Sequence, residues 1–89
     1  MPAILIRQRV PDYIAWRQHF DDHAHARTAN GCQGVQIYRT LDDSRETIVL
    51  LTWDTLMRAR LFAQSDDLRE SLDQSGDNRP DILLLDDAP

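Results

Sequence analysis

Hydrophobic and polar positions along the chain divide into short alternating stretches, two longer helical stretches and two runs with no polar face. The runs are Ile48-Val49-Leu50-Leu51 and Ile82-Leu83-Leu84-Leu85. Side chains on a strand point alternately to opposite faces of the sheet. A strand apolar at every position is therefore covered on both faces, or else the run is a buried helix segment.

The pattern predicts a first strand over 3–10, with Ile4, Ile6 and Val10 on one face and Ala3, Leu5, Arg7 and Arg9 on the other. Pro11 cannot donate to a sheet ladder, and Asp12 is a good helix N-cap. From Tyr13 the period becomes helical: Tyr13, Trp16, Phe20 and Ala24 share one stripe. Gln18, Asp21, Asp22 and His25 fall away from it. The helix is predicted to run to Ala29-Asn30-Gly31, where Asn and Gly suit a left-handed cap. A second strand follows over 34–40, with Val35 and Ile37 on one face and Tyr38 on the other. Asp42-Asp43-Ser44 is a polar hairpin turn, and 46–53 is the third strand. Asp54 is read as the cap of a second helix bearing Leu56, Ala59, Phe62 and Ala63. Ser65-Asp66-Asp67 opens a short helix with Leu68 and Leu72, ending at Gly76. Residues 81–85 form the last strand.

The order β-α-β-β-α-β is the ferredoxin-like split βαβ arrangement. It gives a four-stranded antiparallel sheet with the helices on one face. One small set of helices covers one face, so a second copy of the chain is expected on the other. The length of 89 residues fits a single domain over 1–89.

Composition narrows the function classes. The net charge is −5 and the 10 basic residues are spread along the chain, unlike a nucleic-acid footprint. No apolar run approaches the roughly 20 residues of a membrane helix, and the first residues lack a signal peptide's basic segment. The single cysteine, Cys32, fits a reducing cytoplasm.

The informative polar residues lie on the first helix. His23 and Arg27 are one turn apart and project onto or beside the Trp16–Phe20 stripe. A guanidinium there needs a partner. In one reading Arg27 bonds the last helix carbonyls or a sheet carboxylate, and His23 is an edge histidine. In the other the pair lines the open end of a helix–sheet cleft. Arg27 then holds an anionic or enolate oxygen and His23 acts as general base. His19 and His23 have the i, i+4 spacing of a metal pair, but His25 projects about 200° from His23 and cannot complete a site, so no metal is expected. Tyr13, Trp16, Tyr38 and Trp53 are candidate walls of an aromatic-ligand pocket. An aromatic stripe at helical spacing is also what a plain core produces. Cys32 has no basic neighbour in sequence to activate it.

These residues carry a resemblance. Asp12-Tyr13, Trp16, Phe20, His23, Arg27, Gly31, Gly34, Tyr38-Arg39, Asp42-Asp43, Val49-Leu50-Leu51, Trp53-Asp54, Ala59-Arg60, Phe62, Ser65 and Leu68-Arg69-Glu70 resemble small bacterial proteins of the dimeric α/β-barrel superfamily. The group is that of the antibiotic-biosynthesis monooxygenases and cyclase-like proteins. The resemblance covers nearly the whole chain. It implies two sheets packed face to face in a homodimer, with a ligand cleft between each sheet and its helices. It also implies cofactor-independent oxygenation or cyclisation of a small aromatic or polyketide-like substrate. A non-catalytic ligand-binding or accessory protein is the alternative. Haem-degrading relatives have Asn, Trp and His where this chain has Gln8, Phe62 and Leu72, so no cofactor is expected.

Overall fold

The structure is a computed structural model that describes residues 1–66, 68–69 and 80–88. Its elements are β1 (Ala3–Arg9), α1 (Tyr13–Asp22), α2 (Ala24–Ala29), β2 (Cys32–Arg39), β3 (Glu46–Trp53), α3 (Leu56–Ala63) and β4 (Asp81–Leu85). The strands form one antiparallel sheet in the order β2-β3-β1-β4. This is the expected ferredoxin-like α+β fold, and β3 and β4 fall on the predicted residues.

Asp12 caps α1, its carboxylate accepting from the amides of Ile14 and Ala15 at 3.1 and 3.3 Å. The expected single helix over 13–29 is broken at His23, which lies outside helical geometry (φ −94°, ψ 6°). Two aspartates, Asp21 and Asp22, occupy the last turn of α1, where the helix dipole disfavours negative charge. The break rephases the chain, so Ala24, expected on the buried stripe, is exposed, while Arg27 is buried. β2 begins at Cys32, two residues before its predicted start. A register shift between Cys32 and Gly34 absorbs the extra length against β3.

The cap of α3 is Thr55 rather than Asp54, because its hydroxyl accepts from the Arg58 amide at 3.1 Å. Asp54 serves the turn instead: it accepts from the Thr55 amide at 2.8 Å and pairs with Arg58 at 3.3 Å. At Ser65 the expected helix start is present. Its hydroxyl accepts from the Leu68 amide at 3.2 Å, and Asp66, Leu68 and Arg69 are helical. The predicted continuation through Leu72 to Gly76 lies outside the described residues.

The core lies between the helices and one sheet face. It comprises Ile4, Ile6, Val10, Trp16, Val49, Leu51, Trp53, Ala59, Phe62 and Leu68. Along β3, Thr47, Val49, Leu51 and Trp53 are buried, while Glu46, Ile48, Leu50 and Thr52 on the opposite face are half-buried. On that outer face the register sets Leu83, Leu5 and Leu50 side by side across β4, β1 and β3. Arg7 pairs with Glu46, and Arg9 with Asp43 at 2.8 Å, towards one end of the same face. The apolar run of β4 is uncovered, with Leu83 at 54% exposure and Leu85 at 36%. Among the described residues no helix is long and apolar enough to cross a membrane.

Candidate functional site

The 3- and 4-residue spacings of Tyr13, Trp16 and Phe20 bring their rings into one ladder under α1. The centroids are 5.7 Å apart for Tyr13–Trp16 and 5.1 Å for Trp16–Phe20. Arginines sit at both ends. Arg39 of β2 lies over the Tyr13 ring at 4.3 Å, and Arg27 of α2 lies over the Phe20 ring at 3.7 Å. Such cation–ring contacts are most favourable when desolvated, and Arg27 is only 6% exposed.

The break at His23 frees carbonyls at the end of α1, and two side chains cover them. The Arg27 Nη1 donates to the Phe20 carbonyl at 2.9 Å. The His23 Nδ1 lies 2.9 Å from the His19 carbonyl. A carbonyl only accepts, so Nδ1 carries the hydrogen and Nε2 of the neutral ring holds the lone pair. The two imidazoles are 4.5 Å apart, and the buried His19 Nε2 has no hydrogen-bond partner among the described residues. Arg27 has no carboxylate within ion-pair distance among those residues. Burial pushes its guanidinium below the ordinary range, offset in part by Cys32 and Asp21. Burial likewise pushes the Cys32 thiol up, offset in part by the Gly34 backbone and the field of Arg27; the thiol donates to the Gly34 carbonyl at 3.4 Å.

A cleft of about 330 Å3 opens between the end of α2 and α3, lined by Ala29, Asn30, Arg58, Leu61, Phe62 and Ser65. Phe62 packs against Trp53 with ring centroids 4.8 Å apart and planes tilted by 37°. Trp53 is fully buried, and its indole N–H has no hydrogen-bond partner among the described residues. Gly31 makes this end of the molecule possible. Its φ is +108°, and a Cβ there would lie 2.5 Å from Asp54 Oδ1 and 2.8 Å from Arg58 Cδ.

Tyr13 and Trp16 thus lie in the ring ladder under α1, Arg27 closes that ladder at Phe20, and His23 lies at the end of α1 beside His19. Trp53 lies apart from them under Phe62. Tyr38 lies on the outer sheet face, 54% exposed, opposite Ile48 in the register. None of the six predicted site residues lines the α2–α3 cleft. Its polar residues, Asn30, Arg58 and Ser65, carry no ligand-binding motif; the i, i+4 spacing of Asp54 and Arg58 is the one signal available in sequence. Among the described residues no group of three metal-ligating side chains occurs.

No protein-family model matches the chain, and no curated protein matches it by sequence. Solved structures match its fold. A candidate antibiotic biosynthesis monooxygenase from Bordetella bronchiseptica superposes with a TM-score of 0.78 at 18% identity, over 99% of this chain and 97% of the other. One from Deinococcus radiodurans gives 0.76 at 14% identity, over 100% and 94%. A mutant of MhuD with two manganese protoporphyrin IX molecules bound per active site gives 0.70 at 15% identity, over 100% and 96%. The chain has the fold of the antibiotic biosynthesis monooxygenase group along its whole length.

Proposed function

We propose that this protein binds a small aromatic or polyketide-like anion on the helix-covered side of its sheet and turns it over as a cofactor-independent monooxygenase or cyclase. The observation that carries the reading is Arg27, a buried guanidinium with one hydrogen bond, to a carbonyl, and no carboxylate partner among the described residues. A buried charge of this kind is stabilised by an incoming anion. His23 supports it, because its hydrogen-bonded Nδ1 leaves Nε2 as the basic nitrogen. In this reading Nε2 takes a proton from a phenol or an enolisable carbon, and the anion is held by Arg27. The carbanion then closes on an internal carbonyl, or adds to O2, the O–O bond breaking as the substrate carbon is oxidised to a carbonyl and the second oxygen leaves as water.

A second reading is favoured by a different feature of the same residues. His23 and Arg27 both bond carbonyls at the end of α1, as purely structural caps do. The chain would then be a non-catalytic ligand-binding or accessory protein using the same side of the sheet. The α2–α3 cleft holds no axial ligand for haem. A haem iron needs an axial imidazole, thiolate, thioether or phenolate, and none of the residues lining the cleft supplies one.

The working form in this proposal is a cytoplasmic homodimer packed through the outer sheet face. The half-buried Leu5 and Leu50 and the exposed Leu83 and Tyr38 support it. Turnover is tested by oxygen uptake and mass spectrometry with a panel of bicyclic and tricyclic phenolic ketones. H23A and R27M are expected to lower kcat by about 10²-fold or more while keeping the wild-type circular dichroism. Equal turnover in both variants sinks the catalytic reading; saturable binding with no product favours the second.

A further inference from the structure

We infer that Arg58 sets the charge preference of the α2–α3 cleft, which takes a planar aromatic acid with its ring on Phe62 and its anionic group on Arg58. The inference goes beyond the proposed function: it places a second ligand site, apart from the His23–Arg27 group.

The floor of the cleft is Phe62, 8% exposed and backed by Trp53. Ala29 and Leu61 add apolar wall, and Asn30, Ser65 and Arg58 form the polar part. Two of those polar groups are already engaged. Ser65 Oγ donates to the Phe62 carbonyl at 2.7 Å and accepts from the Leu68 amide. Asn30 Nδ2 donates to the Ala26 carbonyl at 2.6 Å. Arg58 is different: of its five N–H donors, one contacts Asp54, at 3.3 Å, and the others have no partner among the described residues. Asp54 offsets part of the Arg58 charge and leaves the other donors open. One of its oxygens is taken by the Thr55 amide, the other by Arg58, and its carboxylate is tucked against Gly31. That packing holds the Arg58 stem where a side chain at residue 31 would otherwise stand. A volume of about 330 Å3 lies at the small end of ligand sites and suits one or two fused rings.

The probes are naphthoate and its neutral analogue naphthamide, titrated into the full-length protein and followed by amide NMR on nitrogen-labelled chain. Naphthoate is expected to bind about tenfold more tightly than naphthamide, the scale of one partly exposed charge-assisted hydrogen bond. The shifts are expected at Asn30, Leu61 and Phe62. R58Q should erase the preference, R58K restore part of it and R58E reverse it. Arg58 is half-exposed, so none of these changes opens the core. A preference that survives R58Q overturns the inference. So do shifts gathered at His23 and Arg27, which would leave the turnover proposal standing. Failure of both probes to bind also overturns it, while the proposed catalysis is judged separately by the H23A and R27M turnover test.

Discussion

Replacing Arg27 by Met separates a functional arginine from a structural one. The side chain is buried, lies 3.7 Å from the Phe20 ring centroid and gives one hydrogen bond to the Phe20 carbonyl. Methionine keeps the unbranched stem and the ring contact. It forfeits a charged hydrogen bond of about 1.5–3 kcal/mol and a cation–ring attraction of about 0.5–2 kcal/mol. Against this, the mutant no longer buries an uncompensated charge, a penalty of several kcal/mol. The carbonyl left behind is not orphaned, because the His23 amide also donates to it at 3.2 Å. The opposing effects are of similar size, so the net change is expected within about 1 kcal/mol of zero.

The assay is urea and thermal unfolding followed by circular dichroism, with wild type and mutant at one protein concentration because a dimer's midpoint depends on it. In a domain of this size 1 kcal/mol corresponds to about 4–8 °C in Tm. R27M is therefore expected within that interval of wild type. R27A, which also empties the stem volume, is expected to lose about 2–4 kcal/mol. A loss above about 12 °C for R27M would refute the reasoning and make Arg27 a clamp on the α1–α2 break. Wild-type stability with lost ligand binding would identify a charge retained for function.

Other outcomes follow from single features. Gly31→Ala places a Cβ 2.5 Å from Asp54 Oδ1 at φ +108°, and a loss of about 2–4 kcal/mol is expected in urea unfolding; a loss below about 1 kcal/mol would mean that the turn relaxes freely. L50D and L83D put charge in the outer leucine row and are expected to yield monomers in analytical ultracentrifugation at micromolar concentration, with dimers of both mutants counting against the proposed face. Burial pushes the Cys32 thiol up, so the folded state holds this proton more tightly than the unfolded chain. Its contribution to stability is full below the ordinary thiol pKa and fades as pH rises through the raised value. At mildly alkaline pH a chromogenic disulfide should label native Cys32 more slowly than urea-unfolded Cys32; equal rates would show an open thiol.

Strands were legible where local chemistry and burial agree. β3 and β4 start and stop on the predicted residues because polar residues in the sequence flank fully apolar runs. The helix break was not legible, because the Trp16–Phe20–Ala24 period runs straight through it. What ends α1 is the sum of Asp21 and Asp22 against the dipole and two side chains, from His23 and Arg27, that accommodate the freed carbonyls. Each is weak alone, and only the folded chain adds them. The candidate site divides the same way. Spacing on one helix set the Tyr13–Trp16–Phe20 ladder, since neighbours three or four residues apart meet; His23 and Arg27 reach the end of that ladder through the break, which the spacing did not show. Tyr38 could not join them once Val35 and Ile37 took the helix side, because strand alternation sends it to the other face.

Arg58 shows where sequence reasoning stops. In isolation it is an exposed helix arginine with an i, i+4 aspartate, a pairing worth a few tenths of a kcal/mol and read as solvation. Its place at a cleft depends on Gly31, 27 positions earlier, whose positive φ and missing side chain let the Asp54 turn and the Arg58 stem pack against the end of α2. The same contact brings Asn30 to face Leu61 and Phe62 across the opening. The cleft is thus made where the end of α2 and Asn30 meet the side of α3. A change at Gly31 should therefore disturb ligand preference through Arg58 as well as stability, although residue 31 offers no side chain to any ligand.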